Sequence, residues 1–341
     1  MVLSGTRQKV GLGMAAMLLA VGVQTGLAQT CTTQQNMSSE LYASLSEQAL
    51  EIAAAIKAGD VAKVQAATAV DLVGNFASTE YLVKSTAPRL AGDTLRVTQI
   101  YQLDASKRTA GDTSEADFTC PLTGKTSEVD FGIAGLSPSI YAFAMVEAQG
   151  GPRAWLISTL LRKDGSTWKM AGLYTHARTA VGHDGLWYWT AAREHAKAKQ
   201  TWLAWLLYGE AASLLRPTNF VATTNLDGLL GEQHDALPPE LSDGLGPDTP
   251  LVVKGADGPE FRFTSIAAEG SDDGQRLNLT LHFKADGAIA PDKARANNTA
   301  AAKAFLDAHK ELRPVFDGVL VFADSTGNAP FATDQKMSEI P

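Results

Sequence analysis

The segment LLRKDGSTWKMAGLYTHA, residues 160–177, indicates a β-hairpin. Runs of mixed apolar and polar residues flank Asp164 and Gly165, and an Asp-Gly pair between such runs is a strong signal for a tight turn joining two antiparallel strands. Successive side chains of a strand point to opposite faces of the sheet. Strict alternation therefore predicts that one face of the second strand is formed by Trp168, Met170, Gly172, Tyr174 and His176.

The residues before this hairpin predict helices followed by further strands. In SSELYASLSEQALEIAAAIKAGD, residues 38–60, apolar residues recur at spacings of three and four, which is typical of an amphipathic helix. From Leu95 to Leu103 the spacing changes to two, which predicts a half-buried strand with Leu95 and Tyr101 on the same face. Further strands fit residues 129–133, 140–147 and 154–161.

This order of elements resembles the NTF2-like (SnoaL-like) cone-shaped α+β fold. The resemblance covers roughly residues 38–180, and Gly165, Trp168 and Lys169 match a pattern common in the closing strand of that family. It implies helices and a curved antiparallel sheet that together enclose a pocket, which family members use for isomerisation, dehydration or hydrolysis, or only for binding. The sequence has no motif by which the family's catalytic residues can be aligned. The resemblance therefore implies a pocket and no particular reaction.

The next segment, GHDGLWYWTAAREHAKAKQTWLAWLLYGEAASLL, residues 182–215, contains four of the six tryptophans. We predict two helices, at about 186–197 and 201–215, and the second is apolar on nearly all sides, as expected of a helix buried against more than one partner. The pair resembles TPR-type helix pairs but has no second copy, so we expect one helical hairpin packed on the N-terminal domain. We interpret its aromatic residues as core, with Trp187 and Trp189, near the helix start beside His183, as candidates for the rim of a pocket.

The C-terminal part is separated by ALPPELSDGLGPDTP, residues 236–250, whose four prolines and two glycines indicate a linker. The following pattern has the order ββαβ, which suits an antiparallel sheet with a helix on one face. The fold class is thus α+β. The predicted organisation is a signal peptide (1–28), an NTF2-like domain (29–180), a helical hairpin (181–235), a linker (236–250) and a small α/β domain (251–341).

The N-terminal residues predict export. Arg7 and Lys9 precede an apolar run from Val10 to Val23, and a small-residue pattern ends at Ala28, which is the layout of a cleaved secretory signal peptide. An uncleaved anchor is the alternative, although the apolar run is short for a membrane span. We therefore expect an exported protein without a membrane span, in the periplasm or outside the cell.

Cys31 and Cys120 are the two cysteines, and in an oxidising compartment an even pair predicts one disulfide. A lipid anchor at Cys31 is disfavoured, because Gln29 and Thr30 fit poorly before a lipidated cysteine. The formal net charge is −8 and would become −10 without Arg7 and Lys9. An acidic chain without a run of basic residues is not expected to bind nucleic acid.

Catalytic and metal-binding motifs are not evident. The spacings of His176, His183 and His195 match no standard metal site, and we expect no metal and no cofactor. The candidates for proton transfer are His176, Tyr101 and Asp130, the last of which could equally face solvent. The candidates for ligand binding are Tyr101, Tyr141, Trp155, Trp168, Tyr174, His176, His183 and Trp187.

These observations favour an exported protein that binds a small apolar ligand or a protein of the cell envelope. One alternative is an NTF2-like enzyme that performs acid–base chemistry on a small apolar substrate. A second alternative is a non-catalytic scaffold of an envelope assembly, which would use the helical hairpin and the linker.

Overall fold

The computed structural model of the chain describes residues 29–122, 127–255, 258–285, 287, 290–325, 327 and 329–341. The predicted signal peptide, residues 1–28, lies outside this range. The fold is mixed α+β with several antiparallel sheets, as the sequence predicts. In the described part of the chain, no helix is long and apolar enough to span a membrane.

The strands are β1 (Thr30–Thr33), β2 (Thr94–Asp104), β3 (Glu115–Pro121), β4 (Glu128–Ala134), β5 (Ile140–Gln149), β6 (Trp155–Asp164), β7 (Thr167–Ala177), β8 (Thr179–Ala180), β9 (His183–Asp184), β10 (Val221–Thr223), β11 (Leu251–Lys254), β12 (Glu260–Gly270), β13 (Leu277–Lys284), β14 (Gly318–Asp324) and β15 (Phe331–Lys336). The helices are α1 (Ser39–Lys57), α2 (Val61–Ala67), α3 (Ala77–Thr86), α4 (Gly185–Lys197), α5 (Thr201–Leu215), α6 (Thr224–Asp235) and α7 (Pro291–Ala308).

The N-terminal sheet has the order β1-β2-β5-β6-β7, with every neighbouring pair antiparallel. The predicted hairpin is present, since β6 and β7 are joined by a turn in which Asp164 pairs with Thr167. Helix α1 begins where the Ser38 side chain accepts a hydrogen bond from the N–H of Leu41. Its apolar stripe packs on one face of the sheet, in a core shared with Val146 and Ile157.

In the described part of the N-terminal sheet, two β-bulges change which side chains share a face. Leu160 and Leu161 are consecutive in β6, but their partners in β7 are Gly172 and Met170. Ala171 is therefore an extra residue of β7 without a partner in β6. In β2 the register shifts in the same way at Thr98. One extra residue places all later side chains on the face opposite to that expected from strict alternation.

The predicted faces of β7 and β2 are therefore wrong beyond the bulges. Trp168 lies in the core beneath the helices, whereas Tyr174 packs in a second core on the other side of the sheet. Leu95 and Tyr101 are divided in the same way. The physical reason is that strict alternation holds only for a strand without bulges.

The second face of the N-terminal sheet is covered by a small sheet of order β10-β4-β3. Neighbouring aromatic rings in edge-to-face contact run across this core, with centroid separations of 5.2–5.5 Å. In order, they are Tyr101, Phe131, Phe143, Phe220 and Tyr174. The predicted disulfide is present and joins Cys31 of β1 to Cys120 of β3, so it connects the two sheets of this core.

The helical hairpin of α4 and α5 packs mainly on the C-terminal sheet, not on the N-terminal sheet as expected. Trp202 contacts Phe305 of α7 with ring centroids 5.6 Å apart, and Leu203, Leu206 and Leu207 belong to the core that contains β12 and β13. The predicted linker contributes Leu241 to the same core. The apolar sides of α5 are thus buried mostly against the C-terminal sheet and its neighbouring helices.

The C-terminal sheet has the order β11-β12-β13-β14-β15, with α7 packed on one face. The predicted ββαβ unit corresponds to β12, β13, α7 and β14, and the sheet gains β11 and β15 at its edges. The pair β13–β14 is parallel, not antiparallel as expected, because α7 returns the chain to the same end of the sheet.

Arg153 connects the N-terminal and C-terminal parts of the fold. Its guanidinium donates to the carbonyl oxygens of Thr179, Gly270 and Ser271 at 2.6, 3.1 and 2.9 Å. Nearby, the N–H of Gly270 donates to the buried carboxyl group of Glu210 at 3.3 Å. This junction is therefore polar and well bonded, unlike the apolar cores on either side.

Candidate functional site

A cavity of about 700 Å³ lies between the free edge of β7 and the helices α5 and α6. Leu173 to His176 of β7 form one wall, and Arg216 to Phe220, which connect α5 to β10, form another. The remaining lining residues are Leu82, Gly209, Ala212, Ser213, Leu230 and Gln233. A volume of this size is typical of sites for small organic ligands.

The local backbone explains why β7 provides this wall. β7 is the last strand of its sheet, and its outer edge forms a short parallel bridge between Met170 and Thr68, where the N–H of Ala69 donates to the carbonyl of Met170. The bulge at Ala171 then places Tyr174 on the side of the sheet that faces Phe220. Apolar side chains, including Leu82, Leu173 and Leu230, make up much of the lining.

Three polar side chains of the cavity have buried atoms without hydrogen-bond partners. They are both ring nitrogens of His176, Nε of Arg216 and the hydroxyl of Thr218, a residue only 7% exposed. A buried polar group that lacks a partner costs about 1–3 kcal/mol. Their common position on one cavity therefore marks it as a candidate binding site.

Burial lowers the pKa of His176 to about 4, the positive charge of Arg178 acts in the same direction, and the nearby backbone carbonyl of Leu214 acts in the opposite direction. The guanidinium of Arg178 donates to the carbonyl of Leu214 at 3.0 Å, close to the C-terminus of α5. The imidazole of His176 is consequently neutral at physiological pH, with one nitrogen able to donate and the other able to accept a hydrogen bond. It can orient a ligand without carrying a charge.

Of the residues predicted to bind a ligand, the structure brings Tyr174 and His176 to this cavity. Tyr101 lies in the core between the two sheets, where burial raises its pKa to about 12. Tyr141 is also buried, and its hydroxyl donates to the carbonyl of Ser137 at 3.0 Å. Trp155 and Trp168 lie in the core under the helices, on the opposite face of the sheet.

The other predicted residues lie away from the cavity. Asp130 is on the small sheet, where its carboxylate accepts a hydrogen bond from the hydroxyl of Thr119 at 2.6 Å. His183 stacks on Trp187 with ring centroids 3.7 Å apart, and Trp187 is 46% exposed at the start of α4. His195 bonds to Gln200 through Nδ1 at 2.6 Å.

Arg216, Thr218 and Phe220 complete the cavity and were not predicted from the sequence. These residues follow an apolar helix and flank Pro217, and no motif marks them. The sequence feature that could have indicated this site is the position of Arg216 directly after α5. A charged residue next to a buried helix has to contact solvent, a protein partner or a ligand.

No protein-family model, curated protein or solved structure matches this chain. In the described residues, no group of three or more His, Cys, Asp or Glu side chains is arranged to hold a metal ion. The site is therefore characterised by its own geometry, a largely apolar cavity with polar groups from β7 and the segment after α5.

Proposed function

We propose that this chain is an exported binding protein that holds a small organic molecule in the cavity between β7, α5 and α6. The observation that carries the proposal is that three side chains lining this cavity, those of His176, Arg216 and Thr218, have polar atoms that are buried and lack hydrogen-bond partners in the described structure. A ligand group that hydrogen-bonds to these side chains after they turn toward it would offset the desolvation cost of the unpaired atoms.

The N-terminal fold supports the resemblance to NTF2-like proteins as part of this proposal. Helices α1, α2 and α3 precede the long antiparallel strands, and α1 packs on one face of the sheet. Export is supported by the predicted signal peptide and is compatible with the disulfide between Cys31 and Cys120. Binding is favoured over acid–base catalysis, because the imidazole of His176 has no hydrogen-bonded carboxylate to orient it in the described structure.

The test is native mass spectrometry of the protein purified from its own cell envelope, compared with its denatured mass. We expect an additional native mass of a few hundred daltons that is lost on denaturation. The matched control is Ser213→Trp, since Ser213 is exposed on α5 and lines the cavity, so that an indole there fills the cavity without disturbing a core.

A native mass equal to that of the bare chain, in both proteins, would contradict tight ligand binding. An additional mass that persists in Ser213→Trp would contradict the assignment of the ligand to this cavity. The denatured mass separately tests cleavage after Ala28.

A further inference from the structure

Arg216 differs from the other half-buried arginines of the chain. The backbone N–H of Arg216 donates to the carbonyl of Ala212 at the end of α5. The guanidinium takes part in no ion pair or hydrogen bond in the described structure, and its Nε is buried without a partner. The arginines that do donate to carbonyl or carboxylate oxygens include Arg108, Arg153, Arg162, Arg178, Arg193, Arg276 and Arg313.

The charges around the cavity leave Arg216 without compensation. No Asp or Glu is among the lining residues, although the chain as a whole carries a formal net charge of −8. The C-terminus of α5 has a partial negative charge of about half a unit from its free carbonyls. Arg178 already satisfies one of these carbonyls, that of Leu214. The local excess is therefore positive.

The other polar groups of the cavity can also donate hydrogen bonds to an acceptor group of a ligand. The Thr218 hydroxyl has no hydrogen-bond partner in the described structure. A guanidinium and a hydroxyl can together donate to a single oxyanion, and hydrogen bonds to a charged acceptor are stronger than those between neutral groups. The Tyr174 and Phe220 rings, 5.2 Å apart, and Leu230 provide apolar contacts in the same cavity.

We propose that the ligand is an organic anion, with an apolar body against Tyr174, Phe220 and Leu230 and a carboxylate, phosphate or sulfonate head group bound by Arg216 and Thr218. This inference rests on the proposed function and adds the chemical class of its ligand. Nε of Arg216 and the hydroxyl of Thr218 are buried in this structure, so the proposal requires both side chains to rotate toward the head group.

The experiment uses two fluorescent probes with the same arylamine skeleton. 8-Anilinonaphthalene-1-sulfonate carries one negative charge, whereas N-phenyl-1-naphthylamine lacks the sulfonate. In titrations of the disulfide-bonded protein, we expect the anionic probe to bind with a stoichiometry of one and about tenfold or more tighter than the neutral probe, which corresponds to about 1.4 kcal/mol. Arg216→Gln should abolish that preference, and Arg216→Lys should retain part of it.

The matched charge control is Arg262→Gln. Arg262 is exposed on β12 and takes part in no side-chain hydrogen bond in the described structure, so its removal changes the net charge equally and should leave both affinities unchanged. Thr218→Val keeps the shape of the side chain and should weaken only the anionic probe. Thermal unfolding midpoints identify any variant that does not fold. If Arg216→Gln does not fold, Thr218→Val provides the test of the site.

Three results would overturn the inference. Equal affinities for the two probes, both lost in Ser213→Trp, would assign an apolar ligand to the cavity and would leave the proposed function in place. Probe binding that survives Ser213→Trp, or no probe binding at all, would overturn the anion site, and the native mass measurement would then decide the proposed function separately.

Discussion

The carboxyl group of Glu210 is buried where the N-terminal and C-terminal parts of the fold meet. Only 2% of the residue is exposed, and this burial raises its pKa to about 7, while Arg153 and the N–H of Gly270 favour the charged form. Burial likewise lowers the pKa of Arg153. The protonation of Glu210 therefore affects folding stability within the physiological pH range.

The sign of this effect follows from the two pKa values. Between about pH 4.5 and pH 7 the folded protein holds a proton on Glu210 that the unfolded chain has released, so the free energy of unfolding decreases as the pH rises. We expect Glu210→Gln to become more stable relative to the wild type by about 2–3 kcal/mol between pH 5 and pH 8. Urea denaturation of both proteins at these two pH values measures the difference.

The control for this prediction is Glu47→Gln, on the exposed side of α1. Its stability relative to the wild type should not change over the same range. A constant difference between Glu210→Gln and the wild type would show that the carboxyl group is ionised throughout.

At the scale of single residues, sequence reasoning found part of the cavity. Tyr174 and His176 were candidates because their strand was recognisable, and both line the cavity. Arg216 and Thr218 were not, because a segment between elements has no periodicity from which burial can be inferred. The missing partners of their side chains are evident only from the folded structure.

Among the secondary-structure elements, the bulge in β7 has the largest consequence for the cavity. Deleting Ala171 would remove the bulge and make Met170 and Gly172 consecutive partners of Leu161 and Leu160, so Leu173, Tyr174 and His176 would keep their faces. We expect this deletion to reduce the free energy of unfolding by about 1–3 kcal/mol, since the strand would lose its local bend and the packing of Ala171 against the second core.

Chemical denaturation followed by tryptophan fluorescence measures this loss, and Ala171→Ser serves as the control because it keeps the bulge. A deletion variant as stable as the wild type would mean that the bulge contributes nothing to the packing of β7. The positions of the strands were predictable from alternation and turn residues. Their faces beyond the bulges were not, because Ala171 and Thr98 have no sequence signature that marks an extra residue.

The contact between α4 and α5 depends on Gly185. A Cβ atom at this position would lie 2.5 Å from Cγ of Leu215 and 3.0 Å from the carbonyl oxygen of Ala211. We expect Gly185→Ala to destabilise the protein by about 1–3 kcal/mol, as is usual for overpacking. Thermal denaturation monitored by circular dichroism measures this loss of stability.

Gly228→Ala is the matched control, because Gly228 is also helical and has no atom within 4 Å of an added Cβ. It should be neutral or should stabilise the protein by about 0.5–1 kcal/mol through helix propensity. Equal effects of the two substitutions would contradict close packing at Gly185.

At the scale of the whole molecule, the disulfide closes a loop of 89 residues and connects the two sheets of the N-terminal part. We expect the double substitution Cys31→Ser and Cys120→Ser to lower the free energy of unfolding by about 2–4 kcal/mol. Urea denaturation of the wild type with and without reductant provides an independent measurement. A reduced wild type that matches the oxidised protein in stability would contradict the prediction.

The overall arrangement was only partly predictable. The α+β class and the disulfide follow from patterns within the chain, such as the alternation of β13 and the pairing of Cys31 with Cys120. The packing of α5 on the C-terminal sheet could not be inferred, because a helix that is apolar all round shows that it is buried but not by which partner. The parallel pair β13–β14 likewise depends on where α7 returns the chain.

The strand β10 limits how this protein can be dissected. After α5 has entered the C-terminal core, Phe220 and Val221–Thr223 return to the N-terminal part, and α6 then leaves again for the C-terminal core. A fragment that ends at Ala180 would leave Phe143 without its ring contact to Phe220 and β4 without its neighbour β10. Gene truncation or exchange of halves between related chains would therefore have to carry residues 218–223 with the N-terminal half, although they follow the helical hairpin in the sequence.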